Sequence, residues 1–231
     1  MREAIILAGG LGSRLRKVAP NEPKPMASIA GTPFLKLLLN SLSRKKFSRI
    51  ILSVGFKAEM IIDYFGEHYL GMELVYQRED IPLGTGGAIV QALPRCINDN
   101  VFVINGDTFL DFEVDELECL WNKKKQAIMT VKAVQDISRF GALKVKEGHL
   151  VAFNEKGGLG EGLINAGCYL LPTNFFPLDF NVRSFSFEQD YLMQYINEYP
   201  IWIYESSGYF IDIGIPEDYF LAQTTLKPYI N

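Results

Sequence analysis

From Glu3 to Gly106 the chain alternates between two kinds of segment, and this alternation limits its fold more than any other feature. EAIILA (3–8), SRIILSVG (48–55), MELVYQ (72–77) and NVFVING (100–106) are short apolar runs bounded by turn residues, the pattern of strands. PFLKLLLNSLSRKK (33–46), AEMIIDYFGEHY (58–69) and GGAIVQALPRC (86–96) place apolar residues at helical spacing between them. Nearly continuous apolar strands separated by helices call for a parallel sheet covered on both faces. In such sheets ligands bind beyond the carboxyl ends of the strands, which here read AGG, VYQ and NGD.

The second half has a different texture. AIMTVKAV (127–134), GALKV (141–145), LVAFNE (150–155) and GLINAGCYLL (162–171) read as strands with turns between them. SFEQDYLMQYINE (186–198) and PEDYFLAQTTL (216–226) read as helices, with Pro216 suited to a first helical position. The expectation is an α/β chain with a single mixed, mostly parallel sheet flanked by helices and a smaller strand-and-lid portion in the second half. At 231 residues, without linker or repeat, one domain over 1–231 is the economical reading. NFFPLDF (174–180) fits an interface in a homo-oligomer, a lid or a core equally well.

Bulk properties remove several function classes. A net charge of −4 offers no electrostatic footprint for nucleic acid, and no Lys/Arg block suits an anionic membrane. No apolar run reaches the roughly 20 residues of a membrane helix. The cysteines, 96, 119 and 168, are odd in number and widely spaced, matching neither a disulfide framework nor a zinc site. With no signal-like start, a cytoplasmic location is expected. Two histidines, His68 and His149, leave little for a His-dependent triad.

The first strand runs into Gly9, Gly10 and Gly12, then Ser13 and Arg14. Exposed amides beside an arginine make a concavity for anions. The stretch has neither the Walker spacing nor the dinucleotide fingerprint, since Gly10-Leu11-Gly12-Ser13-Arg14-Leu15 ends in leucine. Lys24 stands between Pro23 and Pro25, which hold it out on a stiff segment.

LAGGLGSRLR…PKPM closely resembles the signature of the sugar-1-phosphate nucleotidylyltransferases, and PLGTGGAI, VINGDTF, FNEKG, INAGCYLL, FSFEQDYL and YFIDIGIPEDY follow in that family's order. The match runs from about residue 3 to 222. It implies a Rossmann-like nucleotidyltransferase fold, with a nucleotide-binding half of about 1–112 and a sugar-phosphate-binding half of about 113–231. It also implies attack by a sugar 1-phosphate on the α-phosphorus of a nucleoside triphosphate, with Mg²⁺ as cofactor. In that scheme Arg14, Lys24, Asp107 and Asp212 are catalytic, and the two aspartates hold the metal. Each Asp alone could equally be a cap or turn former. Leu7, Ala8, Gly9, Gly10, Gly12, Ser13, Arg14, Lys24, Gln77, Gly84, Thr85 and Asp107 bind the nucleotide by resemblance. Gly141, Glu155, Lys156, Asn165 and Gly167 meet the sugar phosphate on the same basis. The chain departs from the family at Ser13, where Thr is usual, and at Gly157, where Pro is usual.

Within the family the N-terminal stretch looks most like heptose-1-phosphate guanylyltransferases, which implies GTP and D-glycero-D-manno-heptose 1-phosphate as substrates. A mannose-1-phosphate guanylyltransferase and a hexose-1-phosphate uridylyl- or thymidylyltransferase are the enzymatic alternatives. A glycosyltransferase would show a D-x-D pair, which NGDTF lacks, and a non-catalytic sensor would have lost one of the four charged residues.

Overall fold

A computed structural model of the chain describes residues 1–10, 15, 22–153, 158–177 and 180–230. β1 (Arg2–Ala8) is followed, after a tight turn at Lys24–Met26, by the small hairpin β2 (Ser28–Ile29) and β3 (Thr32–Pro33). The alternating half continues with α1 (Phe34–Arg44), β4 (Phe47–Val54), α2 (Ala58–Phe65), β5 (His68–Tyr69), β6 (Met72–Arg78), α3 (Gly84–Ala92) and β7 (Asn100–Asn105). Then come β8 (Thr108–Leu110), α4 (Val114–Lys124), β9 (Ile128–Val134), β10 (Leu143–Lys146), β11 (His149–Phe153) and β12 (Gly162–Pro172). A π-helical turn (Phe187–Leu192) runs into the short α5 (Met193–Tyr195), before β13 (Trp202–Glu205), β14 (Phe210–Asp212) and α6 (Pro216–Thr225).

Among the described residues ten strands form one sheet, in the order β10-β11-β13-β9-β12-β7-β1-β4-β6-β5. The expected parallel sheet forms one side of it, where β7, β1, β4 and β6 pair in parallel with β5 at the edge beyond. Ala4, Ile5 and Ile6 of β1 have no exposed surface, as a strand covered on both faces requires. Ala4, Ile6 and Ala8 pack with the side chains of α1, α2 and α4, whereas Ile5 packs with α3 and the aromatic segment of the second half. The period-2 alternation of a strand thus feeds two separate cores.

The second half extends this sheet instead of building its own. β12 lies antiparallel to both β7 and β9, so its hydrogen bonds carry the sheet across the middle of the chain. β9 and β13 pair in parallel, and β10 and β11 close as a hairpin over Glu147 and Gly148, both at positive φ. The aromatic segment is core: Phe175 and Phe176 are buried against Phe185, Phe187 and Tyr191.

The structure departs from expectation at 186–198, where a continuous helix was expected. The side chain of Ser186 caps the turn by accepting from Gln189 N, but the backbone opens into a π-turn. Phe187, Tyr191 and Leu192 are buried together, and the wider turn sets all three into the aromatic core. No helix among the described residues is long and apolar enough to cross a membrane.

Candidate active site

The carboxyl ends of β1 and β7 open into a cleft of about 330 Å³ lined by Leu7, Ala8, Gly9, Gly10, Lys24, Asn105 and Asp107, with Glu79, Gly84 and Thr85 across from them. Gly106 lets the two strand ends close up, because a Cβ there would lie 2.5 Å from the Leu7 carbonyl oxygen. Gly12, Ser13 and Arg14 of the glycine loop lie outside the described residues.

Lys24 and the two aspartates meet although the sequence separates them widely. Pro23 is extended, Pro25 and Met26 are buried, and Lys24 is held between them at the start of the tight turn. Its Nζ lies 2.5 Å from Asp107 Oδ2. Asp107 immediately precedes β8, and β8 pairs antiparallel with β14, setting Asp212 opposite Thr108. The pairing continues when Ile213 N–H donates to the Asp107 carbonyl at 3.0 Å. The Gly214 N–H donates to Asp212 Oδ1 at 2.5 Å, and a Cβ on Gly214 would come within 3.3 Å of Lys24 Nζ.

Burial, then the negative charge of Asp107, pushes the Asp212 carboxyl up to about 6, against the opposing pull of Lys24 and the Gly214 amide. Among the described residues two carboxylates face one ammonium there, an excess of negative charge. Among the described residues no group of three or more His, Cys, Asp or Glu gathers to cage a metal ion. The donor set is therefore two hard oxygen ligands, which fits an ion that takes few carboxylates and completes its shell with phosphate oxygens and water.

The β6 side of the cleft differs from expectation. Gln77 accepts from Arg95 Nε at 3.1 Å and is not among the residues lining the cleft. The chain enters the cleft two residues later, past the end of β6, at Glu79. Ser53 Oγ donates to Glu79 Oε1 at 2.9 Å and Leu83 N–H to Oε2 at 3.1 Å, which fixes the carboxylate. It lies so close to Gly9 that a Cβ there would run into it. Sequence reasoning missed Glu79 because its neighbours form a charged surface turn. Gly84 and Thr85 do line the cleft, at the start of α3.

A second cavity, of about 640 Å³, lies between β12, the loop at Phe140 and Gly141, and the π-turn. Gly141 and Asn165 line it together with Ser186 and Glu188. Gly167, at φ +72°, sits in the irregular stretch of β12 between Asn165 and Tyr169, and its N–H donates to Asn165 Oδ1 at 2.9 Å. It presses against Asn105, so it shapes the boundary between the two cavities without lining the larger one. Glu155 and Lys156 lie outside the described residues. Glu188 was passed over because its motif reads as an ordinary amphipathic helix.

An open α/β sheet, a cleft at the ends of its parallel strands, and two acidic residues beside a lysine define a nucleotide-handling transferase. A profile of the nucleotidyl transferase family matches residues 3–228, and the chain belongs to that family. The D-glycero-alpha-D-manno-heptose 1-phosphate guanylyltransferase of Aneurinibacillus thermoaerophilus is 41% identical over 229 residues, covering 99% of this chain and 100% of its own. The Campylobacter jejuni protein of the same name is 39% identical over 220 residues, covering 94% and 97%. Among solved structures, HddC from Yersinia pseudotuberculosis matches with a TM-score of 0.87 at 36% identity, covering 98% of this chain and 100% of that one. HddC has also been solved in complex with GMP-PN. The chain is a nucleotidyltransferase, and the glycosyltransferase and sensor readings fall away.

Proposed function

We propose that the protein transfers GMP from GTP to D-glycero-α-D-manno-heptose 1-phosphate, releasing pyrophosphate, with Mg²⁺ and in the cytoplasm. The observation that carries the chemistry is the convergence of Lys24, Asp107 and Asp212 at one end of the nucleotide cleft. The full-length likeness to two heptose 1-phosphate guanylyltransferases supports the substrate pair.

A phosphate monoester has a second pKa of about 6, so the sugar phosphate is already anionic at neutral pH and needs no enzyme base. The residues have to align two anions and oppose the charge that builds up on the leaving pyrophosphate. Lys24 supplies a fixed ammonium there, and Arg14 supplies a fork of donors. Amides of Gly9, Gly10, Gly12 and Ser13 cradle the triphosphate. Asp107 and Asp212 hold Mg²⁺, which supplies Lewis-acid polarisation of the phosphates when bound.

Glu79 favours guanine. Guanine presents N1–H and the exocyclic amine as adjacent donors, and each carboxylate oxygen keeps a lone pair after serving Ser53 or Leu83. Uracil and thymine offer one donor between two carbonyls, which a carboxylate repels. Among the described residues the cleft is lined by residues up to Asp107 and the larger cavity by residues from Phe140 onward. That supports a nucleotide half of about 1–112 and a sugar-phosphate half of about 113–231, with Gly141, Glu155, Lys156, Asn165 and Gly167 serving the second substrate.

Steady-state kinetics of three variants test the assignment. Arg14→Ala and Asp107→Ala are expected to lose roughly 10²-fold or more in kcat with the fold intact. Lys156→Ala is expected to raise KM for the sugar phosphate more than for GTP. Near-normal turnover in either of the first two, or the reverse KM pattern in the third, contradicts the roles.

A further inference from the structure

An unbroken line of polar side chains runs from the nucleotide cleft to the larger cavity. Thr85, on the nucleotide cleft, donates from Oγ1 to Glu188 Oε2 at 3.1 Å and accepts from Phe187 N–H at 2.8 Å. Tyr169 Oη donates to Glu188 Oε1 at 2.7 Å and accepts from Asn165 Nδ2 at 2.6 Å. Asn165, on the larger cavity, has its Oδ1 held by the Gly167 amide at 2.9 Å. Ser186 Oγ adds a longer bond to Glu188 Oε2 at 3.3 Å. The line joins α3, the π-turn and β12, and both of its ends face a substrate cavity.

Each member has one role available. Tyr169 is buried, and burial together with the charge of Glu188 pushes its hydroxyl well above the usual range, so it keeps its proton and donates it to Glu188. Glu188 is acceptor-only as a carboxylate, so Thr85 and Tyr169 are both oriented toward it. The members of such a network depend on one another, and losing any one leaves its neighbours unpaired. The backbone reinforces the nucleotide end. Gly86 N–H donates to the Phe185 carbonyl at 3.0 Å, and Phe185 N–H to the Leu83 carbonyl at 3.0 Å.

We propose that Glu188 is a positioning residue that couples the two substrate sites. A nucleotide in the cleft orders Thr85 and, through Glu188 and Tyr169, orders Asn165 for the sugar. Each substrate then binds more tightly when the other is present. The loss of freedom in the line falls on whichever ligand binds first, and the second meets a site already set. The effect is reciprocal by thermodynamic necessity. A purely architectural role for the same bonds predicts lower stability on mutation but no exchange of information between the sites.

The inference rests on the substrate pair proposed above, so turnover is measured in parallel with binding. Heptose 1-phosphate is titrated calorimetrically, with Mg²⁺, in the presence and absence of a saturating GTP analogue carrying a methylene at the α,β-bridge. The ratio of the two affinities is the readout. Wild type is expected to show a ratio of about ten. Thr85→Val, which deletes the hydroxyl at the nucleotide end and keeps the shape, is expected to bring the ratio close to one. Thr85→Ser is expected to restore it, and Glu188→Gln to abolish it again. A wild-type ratio near one in enzyme that turns over, or a Thr85→Val ratio equal to wild type, overturns the coupling alone. Wild type that releases no pyrophosphate from these substrates overturns the substrate assignment, and the coupling stated for it.

Discussion

Asp212 sits where its charge is hardest to hold, half-buried and beside a second carboxylate, and this has a sign that can be checked. Its pKa is raised from roughly 4 in an unfolded chain to about 6 in the native state, so between those values the native state holds a proton that the unfolded chain has lost. Without metal, the contribution of Asp212 to stability is greatest below about pH 4 and falls as pH rises through about 6, by on the order of 3 kcal/mol. Asp212→Asn is therefore expected to raise Tm at pH 7 in metal-free buffer, to flatten the pH dependence of Tm, and to lower kcat. Thermal melts across pH 4–8 with EDTA check this, and a lower Tm for the variant at pH 7 would contradict it. Glu79 supplies a second test at this scale. Glu79→Gln removes a charged acceptor and is expected to cost roughly 10–100-fold in kcat/KM for GTP while narrowing the preference over UTP. An unchanged GTP-to-UTP ratio would move base reading elsewhere in the cleft.

Two glycines at the start of α3 decide how that helix meets the second half of the chain. Gly84 lies at φ +66°, and a Cβ on it would stand 2.5 Å from the Phe185 carbonyl, while one on Gly86 would enter the Phe185 ring. The sequence reads these glycines as a loop opening toward the nucleotide, and Gly84 does line the cleft. The missing Cβ at both, with the left-handed backbone at Gly84, also admits segment 183–187, a use that local sequence cannot reveal. Gly84→Ala is expected to destabilise by roughly 2 kcal/mol or more, from left-handed backbone strain plus the clash. A Cβ on Gly10 would meet nothing within 4 Å among the described residues, and Gly10→Ala is expected to leave the urea midpoint nearly unchanged. Equal midpoints for the two variants would contradict the packing argument. The central strands were legible because their apolar runs have no alternative to burial on both faces. β8 and β14, with three residues each, carry no readable period, and only their pairing across the chain brings Asp212 to Asp107. The π-turn was misread as α-helix because its apolar spacing suits either until the aromatic core is known.

At the scale of the molecule, one sheet carries both cavities. β7 belongs to the alternating half and β12 to the second, and their antiparallel pairing places Asn105 and Gly167 at the seam between the two cavities. Alternation along the first half made the parallel strands and the cleft at their carboxyl ends legible from sequence, and the order of family motifs singled out Asp107 and Asp212, which come together, and Asn165, which lines the larger cavity. The bridge through Tyr169 and Glu188 was not legible, because it depends on how three distant elements converge. The most direct measurement is Mg²⁺-dependent pyrophosphate release, with GTP, UTP, dTTP, ATP and CTP each tested against heptose-, mannose-, glucose- and N-acetylglucosamine-1-phosphates. Release is expected with GTP and heptose 1-phosphate far above every other pair, and is expected to be lost on chelation of the metal. Preferential turnover of another nucleotide, or of GTP with a different sugar phosphate, would contradict it.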